Sequence, residues 1–197
     1  MALFLARRFP PAHVVGLELQ APLVAVARQN VVRNALERQV DLVRADARCV
    51  QYLFPTGVFG TVVCNPPYRV LGSGRLIPNP EKAMARHELT LTLVQLVEAC
   101  RHVLARGGLL TMVYHPSRLP ELCARLEAAH LRLRRLRLVH STLQAPASMV
   151  LVEAVQDGRN ALTVLPPLYV YQARQRYTAE MQAIFQGRWS FAKGHRL

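Results

Sequence analysis

The sequence predicts an α/β fold: a mainly parallel sheet wrapped by helices on both faces, with an antiparallel pair of strands at its C-terminal edge. Two observations carry this. Strand-like and helix-like segments alternate through most of the 197 residues, and the last two strand-like segments have no helix between them. A strand that returns through a helix pairs in parallel, whereas strands joined by a short link pair antiparallel. With 51% hydrophobic and 19% charged residues the composition is that of a globular chain. Its length suits one domain, set at residues 1–187 and followed by a basic tail over 188–197.

Residues 2–9 read as the end of a helix. Residues 13–19 (HVVGLEL) are β-rich and end in an acid. Residues 22–35 carry apolar positions at Leu23, Val24, Val26, Ala27, Val31 and Val32, a helix opened by Pro22 at its first turn. Residues 40–44 are a short strand, and residues 60–65 (GTVVCN) another. A loop with glycine and proline covers 69–80. A long helix is expected over 81–106, stopped at Gly107-Gly108, because glycine accepts the left-handed conformation of a helix end. Residues 109–113 form a strand and 119–130 a helix. Residues 131–140 and 149–155 are the final pair of strands. Residues 178–186 form a last helix, with Thr178 as N-cap and Gly187 past its end.

The formal net charge is +13, which attracts polyanions, nucleic acid first and an anionic membrane surface second. Cys49, Cys64, Cys100 and Cys123 form no C-x-x-C pair, which argues against a zinc site or a disulfide framework and suits a reducing cytosol. The start at residues 1–8 is too short for a signal peptide, and polar residues interrupt the apolar stretch 89–100, so no segment is expected to span a membrane.

The sharpest motif is Asn65-Pro66-Pro67-Tyr68, directly after a strand. In an open parallel sheet, ligands bind beyond the carboxyl ends of the strands. An exocyclic amine is a weak nucleophile because its lone pair is delocalised into the ring. Two acceptors aimed at its hydrogens, the Asn65 side-chain oxygen and the Pro66 carbonyl, favour the pyramidal nitrogen that attacks a methyl group. The prolines stiffen the turn, and Tyr68 offers a face on which an extruded base can stack. Glu18 ends the first strand, where a carboxylate can accept from the ribose hydroxyls of a nucleoside cofactor. Asp46 follows the second, where it can accept from an adenine amino group. Either acid by itself would more often be a solvated loop acid or a cap.

In this chain order, Glu18, Asp46 and Asn65-Pro66-Pro67-Tyr68 resemble the class I S-adenosylmethionine (SAM)-dependent amino-methyltransferases, with their Rossmann-like fold. Gly72-Ser73-Gly74-Arg75 and Ala85-Arg86-His87-Glu88 are similar to segments of the bacterial tRNA1(Val) adenine-N6-methyltransferases, as are residues 166–171 (PPLYVY) with Tyr177-Thr178. The resemblance implies that Glu18 holds the cofactor ribose, that Asp46 and Ala47 hold its adenine, and that Asn65 borders the cofactor. It also implies that Asn65, Pro66, Pro67 and Tyr68 present the target base and that Arg75, Arg86 and His87 contact RNA phosphates. His87-Glu88 could equally stabilise the start of a helix. The expected function is SAM-dependent N6-methylation of an anticodon-loop adenosine in a valine tRNA, by direct transfer, in a monomeric cytoplasmic enzyme without metal. The alternatives are an N-methyltransferase for another acceptor (an rRNA or DNA base, or protein glutamine) and a non-catalytic RNA-binding remnant.

One element of that family is not found. Its glycine-rich turn, some twenty residues before the ribose acid, has no counterpart, since Gly16 is the only glycine upstream of Glu18. The first strand is therefore expected to be absent, leaving a gap between the strands ending at Glu18 and Asn65. Arg132, Arg134, Arg135 and Arg137 alternate with Leu131, Leu133, Leu136 and Leu138, which reads either as a protected edge strand or as a phosphate track.

Overall fold

The computed structural model describes residues 1–66, 91–159, 161–173 and 176–188. Its contacts divide the chain into two compact units, Met1–Pro55 and Thr56–Leu197.

The first unit runs α1 (Ala2–Arg8), β1 (Val14–Glu18), α2 (Ala21–Arg33), β2 (Val40–Arg44), a 3₁₀ turn (Ala47–Cys49) and α3 (Val50–Leu53). β1 and β2 pair in parallel, from Val14 opposite Val40 to Glu18 opposite Arg44. Ala6, Val31, Leu36 and Val40 form the core, with Ala2, Leu3, Val14 and Leu42 packed against it. Gly16 is part of that packing. A Cβ there would come within 2.8 Å of the Leu42 Cδ2 and only into ordinary contact, 3.8 Å, with the Ala2 Cβ, so its absence leaves room for the Leu42 side chain of β2. The Gln39 amide then fastens the loop after α1, donating to the carbonyls of Ala6 and Ala12, each at 3.2 Å.

The second unit holds β3 (Phe59–Cys64), α4 (Leu93–Val103), β4 (Leu104–Tyr114), α5 (Leu119–Ala128), β5 (Leu131–His140) and β6 (Ala147–Gln156). Short strands β7 (Thr163–Val164), β8 (Leu168–Tyr169), β9 (Tyr171–Ala173) and β10 (Arg176–Tyr177) follow, then α6 (Ala179–Phe185). The sheet order is β3-β4-β6-β5-β7, with β8 also beside β5. β3 and β4 are parallel, and β6 runs antiparallel to both β4 and β5. β3, β4 and β5 therefore point the same way, and their carboxyl ends lie along one edge of the sheet.

The expected antiparallel pair is present as β5 and β6, but in a more specific form. The last long strand enters between β4 and β5 instead of adding outside them. Its alternate residues Val150, Val152 and Ala154 can then be buried in the centre of the core.

α4 places Leu93, Leu96, Val97 and Cys100 on one stripe, against Leu110, Met112 and Tyr114 of β4 and Leu122 and Leu126 of α5. A capping box starts α4: Thr92 accepts the Gln95 N–H at 3.2 Å while the Gln95 side chain accepts the Thr92 N–H at 3.0 Å. The helix ends earlier than the glycines suggested. It stops at Val103, Leu104 is already extended, and Gly107-Gly108 fall inside β4. There they form a bulge, because the ladder steps from Phe59–Leu104 to Thr61–Leu109. Gly107 takes φ +73° at this bulge, while a Cβ on Gly108 would stand 2.7 Å from the Ala105 carbonyl oxygen. The start expected for this helix, residues 81–90, lies outside the described residues, as does the loop 69–80.

β1 has β2 as its strand neighbour and β3 has β4, among the described residues.

Candidate active site

In the first unit, the carboxyl ends of two adjacent parallel strands bring Glu18 and Asp46 to the same sheet end, where the Ala45 N–H donates to the Glu18 carbonyl at 3.1 Å. The Glu18 carboxylate accepts the Gln20 N–H at 2.9 Å, which orients it at the start of α2. Asp46 is the N-cap of the 3₁₀ turn. One carboxylate oxygen accepts the Arg48 N–H at 2.8 Å and the other accepts from the Arg48 guanidinium, Nε at 2.9 Å. The Arg48 side chain, opposing the small effect of burial, holds the Asp46 carboxyl below its ordinary pKa. Ala47 is the first residue of that turn, a position whose N–H has no acceptor inside the helix. An acceptor beside a donor one residue later matches the edge of an adenine, whose amino group donates and whose adjacent ring nitrogen accepts.

In the second unit, Asn65 and Pro66 follow the last residue of β3, with Asn65 exposed. At Cys64, just before them, a hydrogen bond with Cys100 and burial both push the thiol pKa up. Pro67, Tyr68, Arg75, Arg86 and His87 lie outside the described residues. Thus the structure joins Glu18, Asp46 and Ala47 on one sheet end, and puts Asn65 with Pro66 at the carboxyl end of a strand in the other unit.

The same edge of the second unit carries Tyr114, His115 and Arg118, which the sequence reading did not single out, beside Tyr169 and Thr178, which it gave as part of the family resemblance and, for Thr178, as an N-cap. At the end of β4, His115 caps a 3₁₀ turn by accepting the Ser117 N–H, and the Arg118 guanidinium lies 5.4 Å from the centre of the Tyr114 ring. At the end of β5, β8 continues alongside, with Tyr169 opposite His140. The Thr178 hydroxyl donates to the Tyr169 carbonyl at 2.7 Å and accepts the Met181 N–H at 3.2 Å, the N-cap expected from the sequence. This fastens β10 and α6 to the carboxyl end of β5. For His115 and Arg118, proximity to that end was the missing signal, and it exists only once the strands are ordered.

The arginines of β5 are taken up by carboxylates. A bulge between Leu133 and Arg135 breaks the expected alternation. The Nε atoms of Arg134 and Arg135 lie 3.5 and 3.4 Å from one oxygen of Glu153. Arg132 pairs with Glu127. Arg137 bonds Glu180 at 2.8 Å and donates to the Pro166 carbonyl at 2.8 Å. These cations tie β5 to β6, α5 and α6, which weighs against the phosphate-track reading of this strand.

Among the described residues, no helix is long and apolar enough to cross a membrane, and no group of three or more His, Cys, Asp or Glu could hold a metal ion.

The chain is similar to two curated tRNA1(Val) (adenine(37)-N6)-methyltransferases. That of Photobacterium profundum is 26% identical over 93% of this chain and 76% of the relative. That of Porphyromonas gingivalis is 33% identical over 70% of this chain and 53% of the relative, so the chain spans about half of the latter's length. Among solved structures, a predicted O-methyltransferase from Agrobacterium tumefaciens superposes with a TM-score of 0.74 at 20% identity, covering 96% of this chain and 85% of that one. TrmN from Thermus thermophilus gives 0.53 at 18% identity, covering 79% and 40%. These likenesses establish a Rossmann-like methyltransferase fold. The model of the UPF0020 family, an RMKL-like methyltransferase domain, matches residues 5–146, and with that match the chain belongs to this family of methyltransferase domains.

Proposed function

We propose that this protein is a SAM-dependent RNA methyltransferase that methylates N6 of an anticodon-loop adenine in tRNA, in the cytoplasm and as a monomer. The observation that carries the reading is Asn65-Pro66 at the carboxyl end of β3 in a chain of a methyltransferase family. Two similar proteins that bear the tRNA1(Val) (adenine(37)-N6)-methyltransferase name support the choice of substrate.

The residues at the end of the β1–β2 ladder fit the cofactor. Glu18 is an oriented acceptor for two vicinal hydroxyls, and Asp46 with the Ala47 N–H reads an adenine edge. SAM, when bound, supplies an electrophilic methyl group on a sulfonium. The chain's own part is to prepare the nucleophile. The Asn65 side-chain oxygen and the Pro66 carbonyl accept from the two hydrogens of the adenine amine, which draws its lone pair out of conjugation. Proline at 66 and 67 fixes the direction of both acceptors, so little reorganisation is needed in the transition state. Tyr68 stacks the extruded base, and Arg75, Arg86 and His87 hold RNA phosphates. The net charge of +13 raises the encounter rate with tRNA.

The test is methyl transfer from labelled SAM to tRNA taken from a strain without this modification, followed by nucleoside analysis. Label in N6-methyladenosine of tRNA, and none in rRNA or DNA, is expected. Label in rRNA, DNA or protein moves the acceptor, and RNA binding without transfer supports a non-catalytic protein.

A further inference from the structure

Tyr171, Tyr177 and Phe185 form a run of rings in contact that packs no core. Tyr171 and Tyr177 stack with centroids 5.1 Å apart and planes at 23°. Phe185 meets Tyr177 edge to face at 5.0 Å. Tyr177 is 38% exposed and Phe185 63% exposed, unusual for rings already fixed by neighbours. Their backbone is held firmly: the Tyr171 N–H donates to the Ser141 carbonyl at 2.8 Å, and the Thr178 N–H to the Val170 carbonyl at 3.0 Å. Exposed Arg176 precedes Tyr177 and exposed Arg188 follows Phe185 by three residues, and neither has an acidic partner among the described residues.

The position of this cluster gives it meaning. It is fastened to the carboxyl end of β5, and Asn65 lies at the carboxyl end of β3, along the same edge. The cluster is carried on β8, one strand beyond β5, so in the order β3-β4-β6-β5-β8 the two ends are four strand spacings apart, about 19 Å. A stacked strand rises about 3.4 Å per nucleotide, so this span is about five to six nucleotides.

The geometry points to Tyr177 and Phe185 as a stacking platform for an unpaired RNA base a few nucleotides from the one presented at Asn65, with Arg176 and Arg188 meeting the phosphates beside it. This rests on the RNA reading above and adds a second subsite to it. A base stacks on any aromatic face regardless of its identity, whereas interfacial membrane binding needs an extended apolar helix face, and α6 has only seven residues. Here two exposed rings and two exposed arginines lie within residues 176–188. The platform binds the loop and sets its register, while the chemistry stays at Asn65-Pro66.

An anticodon stem-loop RNA, with the fluorescent base aminopurine at one loop position at a time, tests this by direct titration without SAM. Phe185→Ala and Tyr177→Ala should each weaken binding by about ten- to a hundredfold. They should leave the slope of affinity against salt unchanged, because no phosphate contact is lost. Quenching at one loop position should disappear with the ring. Phe185→Leu, which keeps apolar volume but has no π-face, should behave like the alanine variant, and Phe185→Trp should restore binding. Unchanged affinity in all variants, or a loss that Phe185→Leu repairs, overturns the platform. So does loss of binding to anionic phosphatidylglycerol vesicles with RNA affinity intact. If the variants weaken RNA binding while the parent chain transfers no methyl group, the platform stands and the proposed activity fails. If the parent methylates tRNA and the variants bind as it does, only the platform fails; no RNA binding by the parent overturns both.

Discussion

Arg48 holds the Asp46 carboxylate from two sides, its backbone N–H on one oxygen at 2.8 Å and its guanidinium Nε on the other at 2.9 Å. The acid expected to meet the cofactor adenine is thus also the cap of the turn that follows β2. A carboxylate has about four acceptor sites, so capping does not exhaust it.

This pair gives a pH prediction. The folded pKa of Asp46 lies below its ordinary value, so the ionised form favours the folded state. Its contribution is fully present above the unfolded pKa, near 3.9, and is lost as pH falls through the lower folded value. Arg48→Ala should move the Asp46 titration up toward the unfolded value and shrink the acid-side loss of stability. NMR titration of the Asp46 carboxyl in both forms reads this directly; identical midpoints would refute the assignment.

Thr178 ties α6 to β8 through two hydrogen bonds of one hydroxyl. Thr178→Ala should cost about 1–2 kcal/mol by denaturant titration, the usual loss for a cap. Thr178→Ser should recover most of it. Amide exchange in α6 should quicken in the alanine variant, and a uniform change across the unit would show that the cap acts elsewhere.

The bulge of β4 separates two glycines by mechanism. Gly107→Ala should cost about 1–2 kcal/mol, the strain of a left-handed residue with a Cβ, since nothing crowds the site. Gly108→Ala should cost more, about 3 kcal/mol, because backbone oxygens of Ala105 and Gly60 stand 2.7 and 3.2 Å from the new Cβ and cannot swing aside. Equal small losses in urea unfolding would mean that the bulge yields.

For the proposed transfer, Asn65→Ala should lower kcat by about 10²–10³-fold, the loss of one oriented polar group in the transition state. The KM for tRNA should change little, because the contact strengthens only as the nitrogen becomes pyramidal. Steady-state kinetics on unmodified tRNA checks both, and an unchanged kcat removes Asn65 from the mechanism.

Much of this was legible locally. β2 and β5 occupy the residues their β-rich runs predicted, and Thr178 caps α6, because side-chain period and capping chemistry act within a few residues. Glu18, Asp46 and Asn65 were legible as strand-end polar residues for the same reason. The end of α4 was misread at Gly107-Gly108, since a left-handed glycine serves a strand bulge as well as a helix end.

The sequence by itself determined the α/β class, the types of the longer elements and the candidate motifs, which follow from short-range periodicity and residue chemistry, but not α3 or the short strands β7 to β10. Tertiary structure decided that β6 enters between β4 and β5, and that Glu127, Glu153 and Glu180 take up the β5 arginines. It also brought Tyr177 and Phe185 to the sheet edge that carries Asn65. Each of these is a pairing between chain segments or surfaces whose partner is chosen by burial and ladder geometry, and no local pattern encodes the choice.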